Sequence, residues 1–326
     1  VNGTDPVPSI SVVLPVHDDQ DTVGEALASA GTQLPPPMEI VVVDDGSTDE
    51  SAAVVERTAR ARGWPVRPAQ APGVPGGGSP EVVLVLQANA GPSAARNTGL
   101  AWSRGTWVAF LDADDRWFPG KLHLQLELAR QHPGAVGVAG DWLRLDQPPV
   151  ELPENPALAP TRWLDATDLL VLNRFQTSTV LARSAALRDI GGFRPGLDGV
   201  EDWDCWRRLA QLGPILKVDL PLVAYRDRPA SYSKDLRRVY QAGRRMLLEA
   251  TAPLSPADRE RLLAWHHLRF AVAFTLAGEP NVARSCLRGL LEDRVQGGVP
   301  AATARHLLPF LAARLARRLR RLGRQA

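Results

Sequence analysis

Thr106-Trp107-Val108-Ala109-Phe110-Leu111-Asp112-Ala113-Asp114-Asp115 passes without a break from an apolar run into a cluster of carboxylates. A short run that is apolar at successive positions fits a strand buried on both faces. The aspartates at its end repel one another unless a cation sits among them. Hard divalent cations prefer such oxygens and readily bridge protein to phosphate. A solvated turn is the alternative, and these ten residues alone do not separate the two.

Three earlier runs have the same character: Ser9–Leu14 (SISVVL), Glu39–Val43 (EIVVV) and Glu81–Leu86 (EVVLVL). Helical segments lie between them. One covers Thr22–Ala30. A second follows Ser47, which with Glu50 has capping-box spacing, and runs to about Arg62 before Gly63. A third is Pro92–Trp102, with Pro92 at its first position. Residues 72–80 form a Gly/Pro-rich connector. Apolar strands alternating with helices predict an α/β fold with a mainly parallel sheet covered on both faces. In such sheets ligands bind outside the carboxyl ends of the strands. Pro15-Val16-His17-Asp18, Asp44-Asp45-Gly46-Ser47 and Asp112–Asp115 are all strand ends, so they are expected to converge.

Beyond Asp115 the pattern changes. Lys121–Gln131 reads as a helix, Ala135–Ala139 as a small strand and Gln147–Pro160 as a Pro-rich loop. Thr177–Ala182 (TSTVLA) reads as a strand and Asp202–Leu212 as a helix. From about Arg237 only helices are expected, over 236–250, 256–277, 282–292 and 300–322. The predicted division is therefore residues 1–235 and a helical region, 236–326. No internal repeat is visible.

Composition narrows the function classes. The 326 residues are 44% hydrophobic, enough for a large α/β domain with an appendage. A net charge of +2 gives no electrostatic case for nucleic acid. Cys205 and Cys286 are far apart and form no metal-ligand spacing, which fits free thiols in a reducing compartment. Val1–Pro8 is short and polar, and no apolar run approaches a membrane span. A cytoplasmic chain is expected. Arginine and alanine are abundant and lysine is confined to Lys121, Lys217 and Lys234, a composition that points to a GC-rich bacterium.

Asp44 and Asp45 precede a helix, where acids are favoured by the macrodipole. Capping explains Ser47–Asp49 better than it explains the two aspartates. An aspartate at a strand end can also accept hydrogen bonds from a base imide or a ribose hydroxyl. Arg96, one turn into its helix, is either a solvated surface residue or a fork aimed at phosphate.

In order and spacing, Leu14–Asp18, Val42–Asp49, Gly91–Asn97 and Phe110–Asp115 resemble the successive motifs of glycosyltransferase family 2, of the GT-A fold. The resemblance covers about residues 9–235 and is strongest up to 130. It implies Asp45 as the base contact of a nucleotide pocket, with Pro15, Val16 and Asp18 beside it. It implies that Asp112, Asp114 and Asp115 meet the donor's phosphates and sugar. Asp114 and Asp115 would be the metal ligands, for Mn2+ or Mg2+. Gly199-Val200-Glu201-Asp202 resembles the family's Glu-Asp pair, which makes Asp202 the catalytic base and Glu201 a neighbouring substrate contact. Asp202 shares a helix face with Trp206 and Leu209, so it is expected at the edge of the core. The implied activity is inverting transfer from a nucleoside-diphosphate sugar, a UDP-sugar first among them. The acceptor would be a glycan, a lipid-linked molecule or a small molecule in bacterial polysaccharide, cell-envelope or glycoconjugate synthesis.

One stretch departs from the family pattern. Tyr225-Arg226-Asp227-Arg228-Pro229-Ala230-Ser231 has Arg228 where the family often has a histidine. Arginine cannot ligate a cation but pairs well with phosphate. Arg228 is therefore expected on the diphosphate, with fewer protein ligands for the metal. At the far end, Leu311, Leu315, Leu319 and Leu322 fall at helical spacing among many arginines. Residues 300–326 are thus either a packing helix or a peripheral contact with the inner face of an anionic plasma membrane. A non-catalytic nucleotide-sugar-binding scaffold is the alternative to an enzyme. A dinucleotide-dependent oxidoreductase is excluded, because Leu14–Asp19 carries no Gly-x-Gly-x-x-Gly. Trp142, Trp163, Trp203 and Trp206 are candidates for sugar stacking or for core packing.

Overall fold

A computed structural model describes residues 9–68, 80–148, 150–153, 155–228 and 234–293. The first half alternates as expected: β1 (Ile10–Val16), α1 (Val23–Gly31), β2 (Glu39–Asp45), α2 (Ser51–Ala61), β3 (Val66–Pro68), β4 (Glu81–Gln87), α3 (Pro92–Trp102) and β5 (Trp107–Phe110). Then come β6 (Arg116–Trp117), α4 (Lys121–Gln131), β7 (Gly137–Arg144), β8 (Thr161–Leu164), α5 (Ala166–Val171), β9 (Leu181–Arg183), α6 (Ser184–Asp189), α7 (Glu201–Leu209) and β10 (Ile215–Tyr225). Three longer helices follow: α8 (Leu236–Ala250), α9 (Pro256–Leu276) and α10 (Pro280–Glu292).

The strands form one ten-stranded sheet, ordered β3-β4-β2-β1-β5-β9-β7-β10-β6, with β8 paired to β10. The pairs β3–β4, β4–β2, β2–β1, β1–β5 and β7–β10 are parallel. β9 runs antiparallel to both β5 and β7, and β10 runs antiparallel to β6 and β8. The sheet is thus mostly parallel but mixed. On β1, Ile10, Val12, Leu14 and Val16 bury against α1 and α2 residues such as Val23, Leu27 and Val55. Val13, Val108 and Phe110 face the other way, into a core with Phe175, Phe193, Trp206 and Leu209. Burial on both faces is what makes the first strands apolar throughout.

The described residues fall into two compact units. The first holds residues up to 169 with 173–195 and 201–228; the second holds 170–172, 196–200 and the residues after 228. In the second unit, α8 is capped by Asp235, whose side chain accepts from Arg237 N and Arg238 N, and α9 by Ser255. Tyr240, Phe270, Phe274 and Cys286 pack together there. His266 and His267 are fully buried. His267 bridges Tyr240 Oη at 2.9 Å and Asp293 at 2.8 Å.

Three local expectations need correction. No capping box forms at Ser47: α2 starts at Ser51, and Ser47 Oγ instead accepts from Asp18 N at 3.1 Å. The loop after β1 takes the groups the box would use, since Glu50 N donates to Gln20 Oε1 at 2.9 Å. Thr177–Ala182 is not one strand but a 3-10 turn, Thr177–Thr179, followed by β9. β10, the longest strand, was not anticipated, because Lys217, Asp219 and Pro221 interrupt its apolar pattern. Lys217 is nevertheless fully buried, 2.6 Å from Asp141 and 2.8 Å from Asp219. Both cysteines are free and buried. No helix among the described residues is long and apolar enough to cross a membrane. Residues 300–326 and Pro229–Ser231 lie outside the described residues.

Candidate active site

The carboxyl ends of β1, β2, β4 and β5 carry the polar clusters, as a parallel sheet requires. Past β1, Asp18 adopts φ +51° and its Oδ1 accepts from Thr48 N at 2.7 Å. That bond holds its carboxyl below the usual range. Pro15 and Val16 pair with Val43 and Asp44 of β2, and Val16 is buried. Asp44 Oδ1 accepts from Ser47 N at 2.7 Å, so it closes its own turn. Gly46 has φ +73°, and a Cβ there would stand 2.7 Å from Asn89 N. Only glycine allows the two loops to approach so closely.

Asp45 is buried and accepts three donors: Gln87 Nε2 at 2.6 Å, Ala90 N at 2.9 Å and Gly91 N at 2.8 Å. It pins the loop that launches α3. A carboxylate has about four acceptor positions, which leaves it one more bond for a ligand.

Arg96 is placed differently from the expectation. It is buried, with NH2 2.9 Å from Asp112 Oδ1 and NH1 2.9 Å from Glu201 Oε1. Its guanidinium lies 5.4 Å from the Phe193 ring centre. The buried Glu201 and the half-buried Asp112 draw the fork inward, so it is not displayed for phosphate. Glu201 is likewise buried and is a partner of Arg96. One guanidinium thereby joins the acidic cluster to the residue beside Asp202.

The three carboxylates of the cluster have separate partners. Asp112 pairs with Arg96 through Oδ1 and its backbone N donates to Ser178 Oγ at 3.1 Å. Asp114 Oδ2 lies 3.2 Å from Arg228 Nε. Asp115 is turned inward: Oδ2 accepts from Ser178 Oγ at 2.6 Å and Oδ1 from Arg226 N at 3.1 Å. Both its oxygens therefore serve the fold, and it is not displayed as a cation ligand in this structure. Desolvation, then the charge of Asp112, raises the carboxyls of Asp114, to about 6, and of Asp115.

Arg228 does reach the cluster. Besides Asp114 it contacts Asp19 through NH1 and donates NH2 to Thr22 Oγ1 at 2.7 Å. Asp19 had no assigned role in the sequence, although it directly follows the Leu14–Asp18 motif. Burial raises its carboxyl despite the arginine.

Asp202 lies in the first turn of α7. Its Oδ1 accepts from Trp203 N at 2.6 Å, and Oδ2 from Asn173 Nδ2 at 3.0 Å and Thr177 Oγ1 at 3.4 Å. Desolvation, then the Glu201 charge, pushes its pKa up to about 7, while Arg96 and the hydrogen bonds from Trp203 and Asn173 oppose that rise. Trp206 and Leu209, on the expected shared face, are fully buried. Trp203 and Trp206 are core residues; Trp206 packs on Phe110, Phe175 and Phe193. Trp163 is 47% exposed and meets His132 edge-on.

Among the described residues no three His, Cys, Asp or Glu side chains form a metal cage. Asp112 is engaged through Oδ1 and Asp114 through Oδ2, which makes Asp112 Oδ2 and Asp114 Oδ1 the candidate cation ligands of the cluster. A site with one or two carboxylates suits a cation that takes its remaining ligands from water and substrate phosphates. The donor set therefore fits a substrate-bridging divalent ion, not a dedicated metal centre.

The family model described as glycosyl transferase family 2 matches residues 11–189, more than half of the chain. Succinoglycan biosynthesis protein ExoO of Rhizobium meliloti is 35% identical over 126 residues, 38% of this chain and 31% of that protein. A putative teichuronic acid biosynthesis glycosyltransferase, TuaG of Bacillus subtilis, is 29% identical over 133 residues, 41% and 46% of the two chains. The match thus spans about a third to a half of these relatives. TarS of S. aureus in complex with UDP-GlcNAc superposes with a TM-score of 0.60 at 22% identity, covering 82% of this chain and 73% of TarS. Mannosyltransferase PcManGT from Pyrobaculum calidifontis, in complex with GDP-Man and Mn2+, gives 0.57 at 18% identity, covering 97% and 90%. These likenesses show the GT-A fold.

Proposed function

Since the chain belongs to glycosyl transferase family 2, we propose that it moves a sugar from a nucleoside-diphosphate sugar to an acceptor hydroxyl with inversion, using Asp202 as the base. The observation that carries this is the Arg96 bridge, which touches Asp112 on one side and Glu201, next to Asp202, on the other. It sets a carboxylate of raised proton affinity beside the cluster expected to face the donor.

In this reading Asp45 and the Pro15–Asp18 segment border the nucleotide. Asp112 and Asp114 face the diphosphate and sugar, and Asp115 acts behind them through Ser178. A divalent cation, Mn2+ or Mg2+, held by Asp112 and Asp114 would supply positive charge to the departing diphosphate. Arg228 holds Asp19 and Asp114 and offers a further cationic group at that edge. Asp202 Oδ2 takes the acceptor proton while the acceptor oxygen attacks the anomeric carbon, and the bond to phosphate breaks with its electron pair leaving on the diphosphate. A base of pKa about 7 is half ionised near neutral pH, the range in which proton abstraction is efficient.

UDP-GlcNAc and GDP-Man occupy two structural neighbours, so both belong in a donor panel. Relatives named for succinoglycan and teichuronic acid biosynthesis support a role in bacterial polysaccharide, cell-envelope or glycoconjugate synthesis. The test is nucleotide release from UDP-GlcNAc, UDP-glucose and GDP-mannose with and without Mn2+. Turnover with one of them, lost in Asp202→Asn, supports the reading. Undiminished turnover in Asp202→Asn removes Asp202 as the base.

A further inference from the structure

The two oxygens of Asp202 are held by partners of different kinds. Oδ1 accepts from the backbone N–H of Trp203, a group that can only donate. Oδ2 meets Asn173 Nδ2 and Thr177 Oγ1, and both of these can reverse. A hydroxyl rotates to donate or accept, and an amide turned about its last bond offers oxygen in place of nitrogen. Asn173 Oδ1 is buried with no hydrogen-bond partner among the described residues. Nothing but Asp202 therefore selects the orientation of that amide.

The segment carrying these groups is itself anchored. Phe175 is buried, with its ring centre 6.2 Å from that of Trp206. The 3-10 turn Thr177–Thr179 places Ser178 Oγ on Asp115 Oδ2 and beneath Asp112 N. Residues 173–178 thus grip the acidic cluster with Ser178 and Asp202 with Asn173 and Thr177.

We propose that Asn173 and Thr177 are positioning residues that make Oδ2 the proton-carrying oxygen of Asp202, donating to the carboxylate before transfer and accepting from the carboxylic acid after it. This rests on Asp202 being the base. During transfer the acceptor's O–H proton moves to Oδ2 and stays there, and the Asn173 amide turns so that its Oδ1 accepts the hydrogen bond of the new O–H. The fixed Trp203 N–H keeps Oδ1 an acceptor throughout. The charged and titratable groups acting on Asp202 are Glu201 and Cys205 on α7 and Arg96 on α3. Burial raises the Cys205 thiol, so it stays neutral. Glu201 and Arg96 act in opposite directions on the proton affinity of Asp202.

The test needs no substrate. Full-length protein carrying 13C at aspartate Cγ is titrated by NMR, and the Asp202 resonance is identified by its loss in Asp202→Asn. Asn173→Ala should raise the Asp202 midpoint, by up to about one pH unit or a tenfold gain in proton affinity, because the charge-assisted bond it gives the carboxylate is stronger than the neutral bond it takes from the acid. Thr177→Val should raise it by less, and Thr177→Ser should restore it. Nucleotide release from whichever panel donor is turned over should show its acid limb moved by the same amount. Unchanged midpoints in Asn173→Ala and Thr177→Val overturn the proposal, even if activity falls. If Asn173→Ala does not fold, Asn173→Ser and Thr177→Val carry the same comparison. Full turnover by Asp202→Asn would remove the base and leave the titration result intact, so the two failures are distinguishable.

Discussion

Replacing Arg228 by alanine should make the donor-free protein bind Mn2+ more tightly. Arg228 sits 3.2 Å from Asp114 and also contacts Asp19, both half hidden from solvent. It therefore occupies, as a tethered cation, the charge that a free cation would neutralise. At about 3 Å and an effective dielectric of about 20, one such pair attracts by roughly 5 kcal/mol before desolvation. Arg228 is a third exposed, so screening and side-chain entropy leave about 1 kcal/mol per pair. Losing both pairs is then worth about 2 kcal/mol, or roughly thirtyfold in Kd. Mn2+ affinity, read by electron paramagnetic resonance of the free ion without donor, should rise ten- to thirtyfold (about 1.4–2 kcal/mol) in Arg228→Ala. Arg228→Lys should fall between, since it keeps the charge but not the fork. In the same variant the affinity for UDP with Mn2+ present should fall, because a phosphate partner is lost. Equal or weaker Mn2+ binding in Arg228→Ala would refute the idea that Arg228 neutralises this site.

Other consequences are structural. Arg96→Leu strands Glu201 and Asp112 together and should destabilise the first unit by about 3 kcal/mol or more, measured by urea unfolding. Ser178→Ala removes the partner of Asp115 and of Asp112 N, and should cost about 1–3 kcal/mol together with most donor turnover. Asp202→Asn should raise Tm at pH 8, with a gain that shrinks as pH falls and is gone near pH 4. The folded pKa of Asp202, about 7, lies above its ordinary value of 3.8, so the native state binds the extra proton between them, and stability falls as pH rises from about 4 to about 7 and then levels off. A neutral isostere escapes that loss. The second unit should behave in the opposite sense. Burial lowers the pKa of His266 and His267, so the unfolded chain binds more protons below pH about 6.5 and stability falls as pH drops below that value. Amide exchange in α8 and α9 should accelerate between pH 7 and 5 after correction for intrinsic rates.

The strand ends were legible because burial and charge change abruptly there. Thr106–Asp115 shows this in ten residues, and the ends of β1 and β2 repeat it. What the sequence hid were partnerships across distance. Arg96 has the composition of a phosphate ligand, but Glu201, 105 positions later, turns it inward. Ser178 sat in a run that looked like plain strand, and only the 3-10 turn aims its hydroxyl at Asp115. Asn173 and Thr177 carried no local signal at all, since their role depends on α7 arriving beside them. β10 was masked by Lys217, whose charge is acceptable only because Asp141 and Asp219 pair with it.

The central claim is single displacement at the anomeric carbon with Asp202 taking the proton. It is tested most directly by 1H NMR of the first sugar released from an α-linked donor, UDP-GlcNAc or GDP-mannose, with Mn2+ and water as acceptor, recorded before mutarotation. The account predicts the β-anomer first, at a rate abolished in Asp202→Asn. An α-anomer appearing first, or release of equal rate in Asp202→Asn, would contradict it.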